Sequence, residues 1–507
     1  MSPVEGNPVM LKYFFSMPGR QLWLDLAIGL SQTSVARPCL WIGDPRLESG
    51  AQNAFPDCEV ADFDGLRYAP HLQLAASSAE NLSFFESPDL HRIKDNALKM
   101  MDRVDPDKTW SRVDREAAFH AAALWAIEKI NRLRPDFFLT IESPHAYTSY
   151  ILFELCRIYG VPAYSFGWFP LSGGLYLRQG LNDAIIPYTG PRDETVDARM
   201  WSFVTQYANT VTAQTTKAWE PSYMQAQKAK DASADARFLS YARKHTRGKL
   251  RRLLKPSKYF SVTEGYRKEQ AKRAFLSGLR GTLSDLTTKG LDLERPFVYF
   301  ALQYEPERTT NPDGLNYTDQ IRALAALRDK LPQSHLIYVR EHPSQLYSSN
   351  RGHLGRSQTI YHVIRSMRGV ELADNEEVSS ASLIRNAAIT ATITGTAALE
   401  AALIGKNALI FGHSWFSGCP NIADFSNVAS FEDLLQQDTA DADTVMAYLK
   451  QRFVDFTFPG YQNPSQTGLY PGLADDETYQ RAELDGALHS VSTDLIAHLK
   501  QRTAISS

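Results

Sequence analysis

Residues 389–411, ITATITGTAALEAALIGKNALIF, show the strand and helix pattern from which the fold of the second half of the chain can be predicted. Residues 389–393, in which apolar residues alternate with threonine, predict a strand, and Gly395 between two threonines predicts a tight turn. A helix is predicted from there to residue 404, and the apolar run at 408–411 predicts another strand. Strand, helix and strand in this order form a βαβ unit, which implies a parallel sheet covered by helices.

The same alternation of strands and helices occurs in both halves of the chain. Strands are predicted at 12–15, 38–43, 136–141, 161–166, 297–302 and 336–339, in addition to the two above. Helices are predicted at 22–30, 115–132, 150–159 and 319–331. The sequence therefore predicts an α/β fold with two Rossmann-like domains and a helical section between them.

Changes in this pattern suggest four regions. We expect a Rossmann-like N-terminal domain at 1–190, a helical basic linker or insertion at 191–290, a Rossmann-like C-terminal domain at 291–440 and a helical tail at 441–507. Between Arg243 and Arg280, thirteen Lys or Arg accompany two Glu. Such a segment is either a solvated helical linker or a basic face for an anionic membrane or polyanionic acceptor.

Composition limits the classes of function. The 54 basic and 57 acidic residues leave a formal charge of −3, which disfavours a nucleic-acid partner. Four widely spaced cysteines signal neither a disulfide framework nor a zinc site. We find no secretory signal or bilayer-spanning stretch, so a cytoplasmic location is expected. Three short Asp-x-Asp matches are too common to indicate a metal, and no glycine-rich nucleotide motif is present, so no cofactor is expected.

Polar residues follow each predicted strand of the second half. They are Gln303 to Thr310, Arg340-Glu341-His342-Pro343, Thr394-Gly395-Thr396 and Gly412 to Trp415. Ligands of open α/β sheets bind beyond the carboxyl ends of the strands, so these segments are the predicted site. The turn at Gly395 leads into a helix whose first N–H groups favour a phosphate, although Thr396 acting only as a helix cap is the simpler alternative.

A histidine and three glutamates complete the candidate chemistry. His342 directly follows a strand, where it can donate to a phosphate and stabilise a departing phosphate group. Glu305 and Glu307 flank a proline, and either a salt-bridged loop with Arg308 or a carboxylate aimed at a sugar fits this arrangement. Glu142, which follows a strand of the first half, faces the same choice.

Three of these segments resemble the bacterial capsule polysaccharide biosynthesis family, which includes Kdo transferases. They are FALQYEPE at 300–307, the His342-Pro343 element and TGTAALEA at 394–401. The layout is also similar to that of GT-B sialyltransferases, which use a CMP-activated sugar. The resemblance implies a GT-B-like fold of two domains facing a cleft, with 1–190 as the acceptor-side domain and 291–440 as the nucleotide-sugar-binding domain. It implies transfer of Kdo or a related acidic sugar from CMP to a glycan or lipid-linked acceptor. Such an acceptor would lie at the inner face of the membrane.

The resemblance also assigns roles to individual residues. It implies a nucleotide site made of Gln303, Arg340, His342, Pro343, Thr394, Gly395, Thr396 and Glu400. It implies catalytic roles for Glu305 or Glu307, for His342 and for Glu142 as general acid/base. The segment has Pro306 and Glu307 where the Kdo enzymes have an acidic pair, so the donor sugar and the choice between retention and inversion stay open.

Two other functions fit the same residues. A GT-B-like transferase could use a UDP-sugar or a CDP-polyol, because these donors also need phosphate-binding groups. A non-catalytic assembly or export factor could keep the fold and bind glycan. The clustered acidic residues and His342 favour an enzyme over the second of these.

Overall fold

The chain folds into two compact units. The computed structural model describes residues 10–74, 81–181, 184–213, 228–229, 231 and 256–506. Unit 1 comprises Met1–Asn209, Asn311–Leu315 and Met446–Ser507, and unit 2 comprises Thr210–Thr310 and Asn316–Val445. Each unit is built around one mostly parallel sheet.

The regular elements of the described residues are as follows. The strands are β1 Leu11–Ser16, β2 Ala36–Ile42, β3 Glu59–Val60, β4 Phe137–Thr140, β5 Ala163–Phe169, β6 Gly174–Gln179, β7 Ile185–Ile186, β8 Thr287–Thr288, β9 Phe297–Ala301, β10 Leu336–Arg340, β11 Val370–Ala373, β12 Ile389–Thr392, β13 Ala408–Ile410, β14 Ile422–Asp424 and β15 Phe458–Pro459. The α-helices are α1 Gln21–Gln32, α2 Pro45–Ala54, α3 Phe63–Tyr68, α4 Leu90–Met100, α5 Arg112–Leu133, α6 Tyr147–Ile158, α7 Glu194–Thr212, α8 Pro256–Leu286, α9 Gln320–Lys330, α10 Gln358–Ser366, α11 Ser380–Asn386, α12 Ala397–Leu403, α13 Phe431–Gln436, α14 Ala442–Phe456, α15 Glu477–His489 and α16 Ile496–Ser506.

The sheet of unit 1 has the strand order β15-β6-β5-β4-β1-β2-β3, with β7 paired to β6. Strands β1 to β5 are parallel, whereas β6, β7 and β15 join antiparallel to their neighbours. The chain moves outward from β1 through β2 to β3 and returns at β4. The order therefore reverses between β1 and β4, which is the position where such sheets bind ligands.

The sheet of unit 2 is wholly parallel, in the order β14-β13-β12-β9-β10-β11-β8. Residues Phe297–Phe300 of its central strand are fully buried or nearly so, as a strand covered by helices on both faces requires. Asp319 begins α9 by accepting a hydrogen bond from the Ile321 backbone N–H. The order of strands reverses between β9 and β12, which places the ligand-binding position of unit 2 at these two strand ends.

The α/β prediction with two Rossmann-like units is confirmed. The eight predicted strands correspond within a few residues to β1, β2, β4, β5, β9, β10, β12 and β13, whereas β3, β6, β7, β8, β11, β14 and β15 were not predicted. Strand β11 (Val370–Ala373) was not predicted, since it is four residues long and Glu371 interrupts its apolar run. Although β11 follows β10 in the chain, the four predicted strands β13, β12, β9 and β10 are consecutive neighbours in the sheet.

The C-terminal part of the chain packs with unit 1 instead of standing apart as a tail. Strand β15 joins the unit 1 sheet by pairing with β6. Glu483 of α15 accepts hydrogen bonds from the Arg20 guanidinium at 2.6 and 2.7 Å, and that guanidinium also lies 3.5 Å from the centre of the Tyr461 ring. This two-point ion pair fixes the C-terminal helices against the start of α1.

A short segment, Asn311–Leu315, also belongs to unit 1, although the residues on both sides of it group with unit 2. Asp313 accepts hydrogen bonds from the Ser143 hydroxyl at 2.7 Å and from Arg178 at 3.1 Å. All three residues are more than nine-tenths buried. The loop that follows β9 is therefore anchored at Asp313 by a buried ion pair.

The basic segment 243–280 is only partly within the described residues, since 243–255 lie outside them. In α8, Lys268 pairs with Glu264 and Arg273 with Glu269, each four residues apart and each at 3.0 Å. These pairs neutralise two of the cations in the described part. None of the helices that the structure describes has both the length and the apolar character needed to cross a membrane.

Candidate functional site

The ends of β9 and β12 are joined by a pair of hydrogen bonds between Gln303 and Thr394. The Thr394 N–H donates to Oε1 of Gln303 at 2.7 Å, and Nε2 of Gln303 donates to the Thr394 hydroxyl at 3.2 Å. Gln320 of α9 holds the Gln303 backbone from the other side, with bonds of 2.8 and 3.1 Å. The residues predicted at these two strand ends are thus brought together where the strand order reverses.

The hydroxyl of Thr394 is already engaged within the protein. It donates to the Thr309 carbonyl at 2.7 Å while it accepts from Gln303. A hydroxyl has one hydrogen, so Thr394 has none left for a phosphate. Its geometry indicates that it holds the loop after β9 in place.

The turn at Gly395 leads into a helix of only seven residues, α12. A Cβ atom at Gly395 would lie 2.8 Å from the Thr392 hydroxyl, which accounts for a glycine at this point. The Thr396 hydroxyl donates to Glu400 at 3.2 Å and does not cap the backbone. Gly395, Thr396 and Glu400 therefore lie together, but the helix is short for the dipole effect that the sequence suggested.

Glu400 carries a perturbed carboxyl group. Desolvation raises its pKa to about 7, and the hydrogen bond from Thr396 opposes part of that rise. The unfolded chain releases this proton near pH 4.5, whereas the folded chain keeps it up to about pH 7. The folded state therefore loses stability as pH rises through this window.

We expect Glu400→Gln to stabilise the protein at pH 8 and to have a much smaller effect at pH 4, because the glutamine needs no proton. Thermal unfolding of both proteins at the two pH values measures this difference. Glu376→Gln, at an exposed carboxylate of the same unit, is the matched control. Equal shifts in Tm at pH 4 and pH 8 would contradict the assignment.

The surroundings of His342 show which of its two ring nitrogens carries the proton. Nδ1 accepts a hydrogen bond from the Ser344 backbone N–H at 3.2 Å, so the ring proton lies on Nε2. Burial lowers the pKa of His342 to about 4; the Glu341 carboxylate opposes this lowering, and the Arg356 and Arg340 charges add to it. Pro343 begins the short 3-10 helix that this bond caps. At neutral pH His342 is therefore an uncharged donor through Nε2.

Arg340 is 9% exposed, and its guanidinium bonds only to neutral groups. It donates to the Val378 carbonyl at 3.1 Å, to the Ser380 hydroxyl at 2.9 Å and to the Asn375 carbonyl at 3.4 Å. Within the described ranges, no carboxylate forms an ion pair with it. Arg340 is therefore a nearly buried positive charge held by neutral acceptors, and it acts on His342 together with the charges of Glu341 and Arg356.

The structure separates the two glutamates that flank Pro306. Glu305 is buried, and its Oε2 accepts a hydrogen bond from Arg356 at 2.8 Å. Glu307 is exposed, and one of its carboxylate oxygens accepts from the Arg308 backbone N–H at 3.1 Å. Glu307 is therefore the accessible carboxylate of the pair, and Glu305 is part of a buried ion pair.

Two residues that support this site were missed in the sequence. Arg356 lies against Glu305, and the Gln345 side chain bonds the backbone N–H and carbonyl of Glu305, both at 2.8 Å. The signal that could have located them is the pair Gly352 and Gly355. A Cβ at Gly355 would lie 2.5 Å from the Glu305 carbonyl, and one at Gly352 would lie 2.1 Å from the Gln345 carbonyl.

Glu142 lies in unit 1, directly after β4. It is 6% exposed, and Asn463 donates weakly to both carboxylate oxygens at 3.5 Å. Nδ1 of His145 is 3.8 Å from the nearer oxygen. Ser16 and Ser149 bond each other at 3.0 Å at the neighbouring end of β1. A carboxylate is thus present where the strand order of unit 1 reverses.

Comparison with known proteins gave only distant similarity. No family model matches the sequence, and no curated protein matches it. KpsC of Thermosulfurimonas dismutans, a beta Kdo 2,7 transferase, is 13% identical, covers 71% of this chain and 87% of its own, and superposes with a TM-score of 0.26. UDP-GlcNAc 2-epimerase of Methanocaldococcus jannaschii is 9% identical, with coverages of 87% and 92% and a TM-score of 0.20.

A third solved structure, the calicheamicin glycosyltransferase CalG4, is 12% identical. The match covers 98% of this chain and 99% of CalG4, with a TM-score of 0.20. Superpositions of this extent support no statement about activity.

Proposed function

We propose that this protein is a glycosyltransferase that takes a sugar from a nucleotide donor bound to unit 2. The proposed donor is a CMP-sugar, with Kdo or a related acidic sugar as the transferred group. The proposed acceptor is a glycan or a lipid-linked glycan. The observation that carries the proposal is that the end of β10, beside the β9–β12 position, holds both a neutral His342 and Arg340, whose guanidinium forms no ion pair with a described carboxylate.

The charges and hydrogen-bond donors at this site favour a ligand with a single phosphate. Arg340 supplies one positive charge that forms no ion pair with a described carboxylate, and Nε2 of His342 supplies one N–H donor. A CMP leaving group has one phosphate, whereas UDP and CDP donors present two. Because His342 is neutral, it stabilises negative charge on the departing phosphate as a hydrogen-bond donor, without first taking up a proton.

The exposed Glu307 is the proposed carboxylate for the reacting sugar. A carboxylate in this role either attacks the anomeric carbon, which gives a glycosyl-enzyme and retention, or removes the acceptor proton, which gives inversion. Glu305 is the weaker candidate because Arg356 already neutralises it. Glu142 of unit 1 stays a proposal as a general acid/base for the acceptor.

A thermal-shift screen with CMP, CDP, UDP, UMP, GDP and ADP tests the donor class. We expect CMP to raise Tm selectively, because a ligand that binds only the folded state stabilises it. The shift should be lost in His342→Ala and retained in Glu376→Gln. Stabilisation by UDP or CDP in place of CMP would overturn the donor, and no response to any nucleotide would contradict the transferase proposal.

A further inference from the structure

Arg356 uses all of its hydrogen-bonding capacity inside unit 2. Its Nε donates to Glu341 at 2.8 Å, and one terminal nitrogen donates to Glu305 at 2.8 Å and to the Gly355 carbonyl at 3.0 Å. The other donates to the Gln303 carbonyl at 2.8 Å and to Glu341 at 3.1 Å. A guanidinium has five N–H donors, so every one of them is occupied.

Glu341 connects this buried arginine to His342. One carboxylate oxygen accepts from the His342 backbone N–H at 2.7 Å as well as from Arg356. The other accepts from Arg356 and from the Tyr361 hydroxyl, both at 2.8 Å. The Glu341 side chain is fully buried, so its position is fixed by these four bonds.

We infer that Arg356 and Glu341 are positioning residues that hold His342 in the orientation with Nδ1 on the Ser344 N–H and Nε2 towards the ligand. The inference rests on the proposed function only for the identity of that ligand. Arg356 fixes the end of β9 through Gln303 and Glu305, and the end of β10 through Glu341. The pair therefore sets the distance between the loop after β9 and the His342 turn.

Lysine cannot replace arginine in this arrangement. It would keep the positive charge, but its three donors extend from one nitrogen and cannot reach acceptors on four separate residues in one plane. Glu341 would then lose part of its support, and the His342 turn would be free to reorient. Arg356→Lys is therefore the informative change.

The first test reads the His342 ring directly and needs no substrate. In protein labelled with ¹⁵N at histidine, the His342 signals are assigned by their absence in His342→Gln. We expect one tautomer, protonated at Nε2, in the wild type and in the control variant Arg328→Lys. Arg328 is a partly buried arginine that bonds only the backbone carbonyls of residues 331, 332 and 335. Arg356→Lys should give a mixture of tautomers.

Tyr361→Phe provides a milder variant if Arg356→Lys does not fold. It removes one bond to Glu341 while leaving the buried charges in place, so a smaller shift of the same kind is expected. An unchanged single tautomer in the folded Arg356→Lys protein, or in Tyr361→Phe if only that variant folds, would overturn the inference. Because this measurement involves no donor, it stands apart from the test of the proposed function.

The second test uses turnover of the donor. We expect Arg356→Lys to lower kcat by about 10²-fold, with a donor KM within about threefold of the wild type, since misplacement of a catalytic group by about 1 Å has that effect. In a His342→Ala background the same change should cost less than about threefold. If Arg356→Lys lowered kcat by the same factor in the His342→Ala background as in the wild type, Arg356 would not act through His342. An equal loss of kcat in Arg328→Lys would show the same. Absence of turnover in the wild type would count against the proposed function instead.

Discussion

Glu307→Gln is expected to lower donor turnover by about 10³-fold or more while leaving thermal stability nearly unchanged. Glu307 is exposed and forms no ion pair within the described part of the chain, so its removal disturbs little of the fold. Nucleophilic and acid/base carboxylates typically contribute factors of about 10² to 10⁴. Steady-state kinetics with the donor identified in the nucleotide screen, combined with thermal unfolding, measures both effects.

Glu305→Gln is the matched comparison and should give the opposite pattern. It removes a carboxylate that bonds Arg356 at 2.8 Å in a buried setting, so a loss of about 1–3 kcal/mol in the free energy of unfolding is expected. Turnover should fall less than in Glu307→Gln. If Glu305→Gln loses more activity than Glu307→Gln, the assignment of the catalytic carboxylate is wrong.

His342→Ala should lower kcat by about 10²- to 10³-fold, the range found when one preorganised donor to a developing negative charge is removed. The substitution also removes the hydrogen bond by which Nδ1 caps the Ser344 N–H. Loss of such a cap typically lowers the free energy of unfolding by about 1 kcal/mol. Activity should therefore fall far more than stability. His342→Asn, which can still cap the turn but places no donor at the Nε2 position, should recover stability without recovering kcat.

The low pKa of His342, about 4, gives a pH test of the same residue. Below pH 6.5 the unfolded chain takes up a proton at this position that the folded chain does not accept until about pH 4. The folded state therefore loses stability as pH falls through this window. His342→Ala should remove that part of the acid sensitivity, and kcat of the wild type should show no inflection near pH 6.5 from this residue. A titration of His342 near pH 6.5 would contradict the lowered pKa of this ring.

The candidate site was predictable in part. The segments after β9, β10 and β12 follow from hydrophobic patterning alone, and the structure brings Gln303 and Thr394 into direct contact. Their individual roles were not predictable, because hydrogen-bond partners depend on side chains distant in sequence. The Thr394 hydroxyl donates its hydrogen bond to the Thr309 carbonyl, and the Thr396 hydroxyl donates to Glu400.

The α/β class, the two Rossmann-like units and the strand ends proposed as the ligand site could be predicted from the sequence alone. These features depend on local periodicity and on turn residues, which are readable in windows of ten to twenty positions. The position of the C-terminal helices in unit 1, and the difference between the buried Glu305 and the exposed Glu307, follow from the three-dimensional packing. That distinction depends on Arg356, 51 residues further along the chain, whose guanidinium reaches both Glu305 and Glu341 only after the sheet has formed.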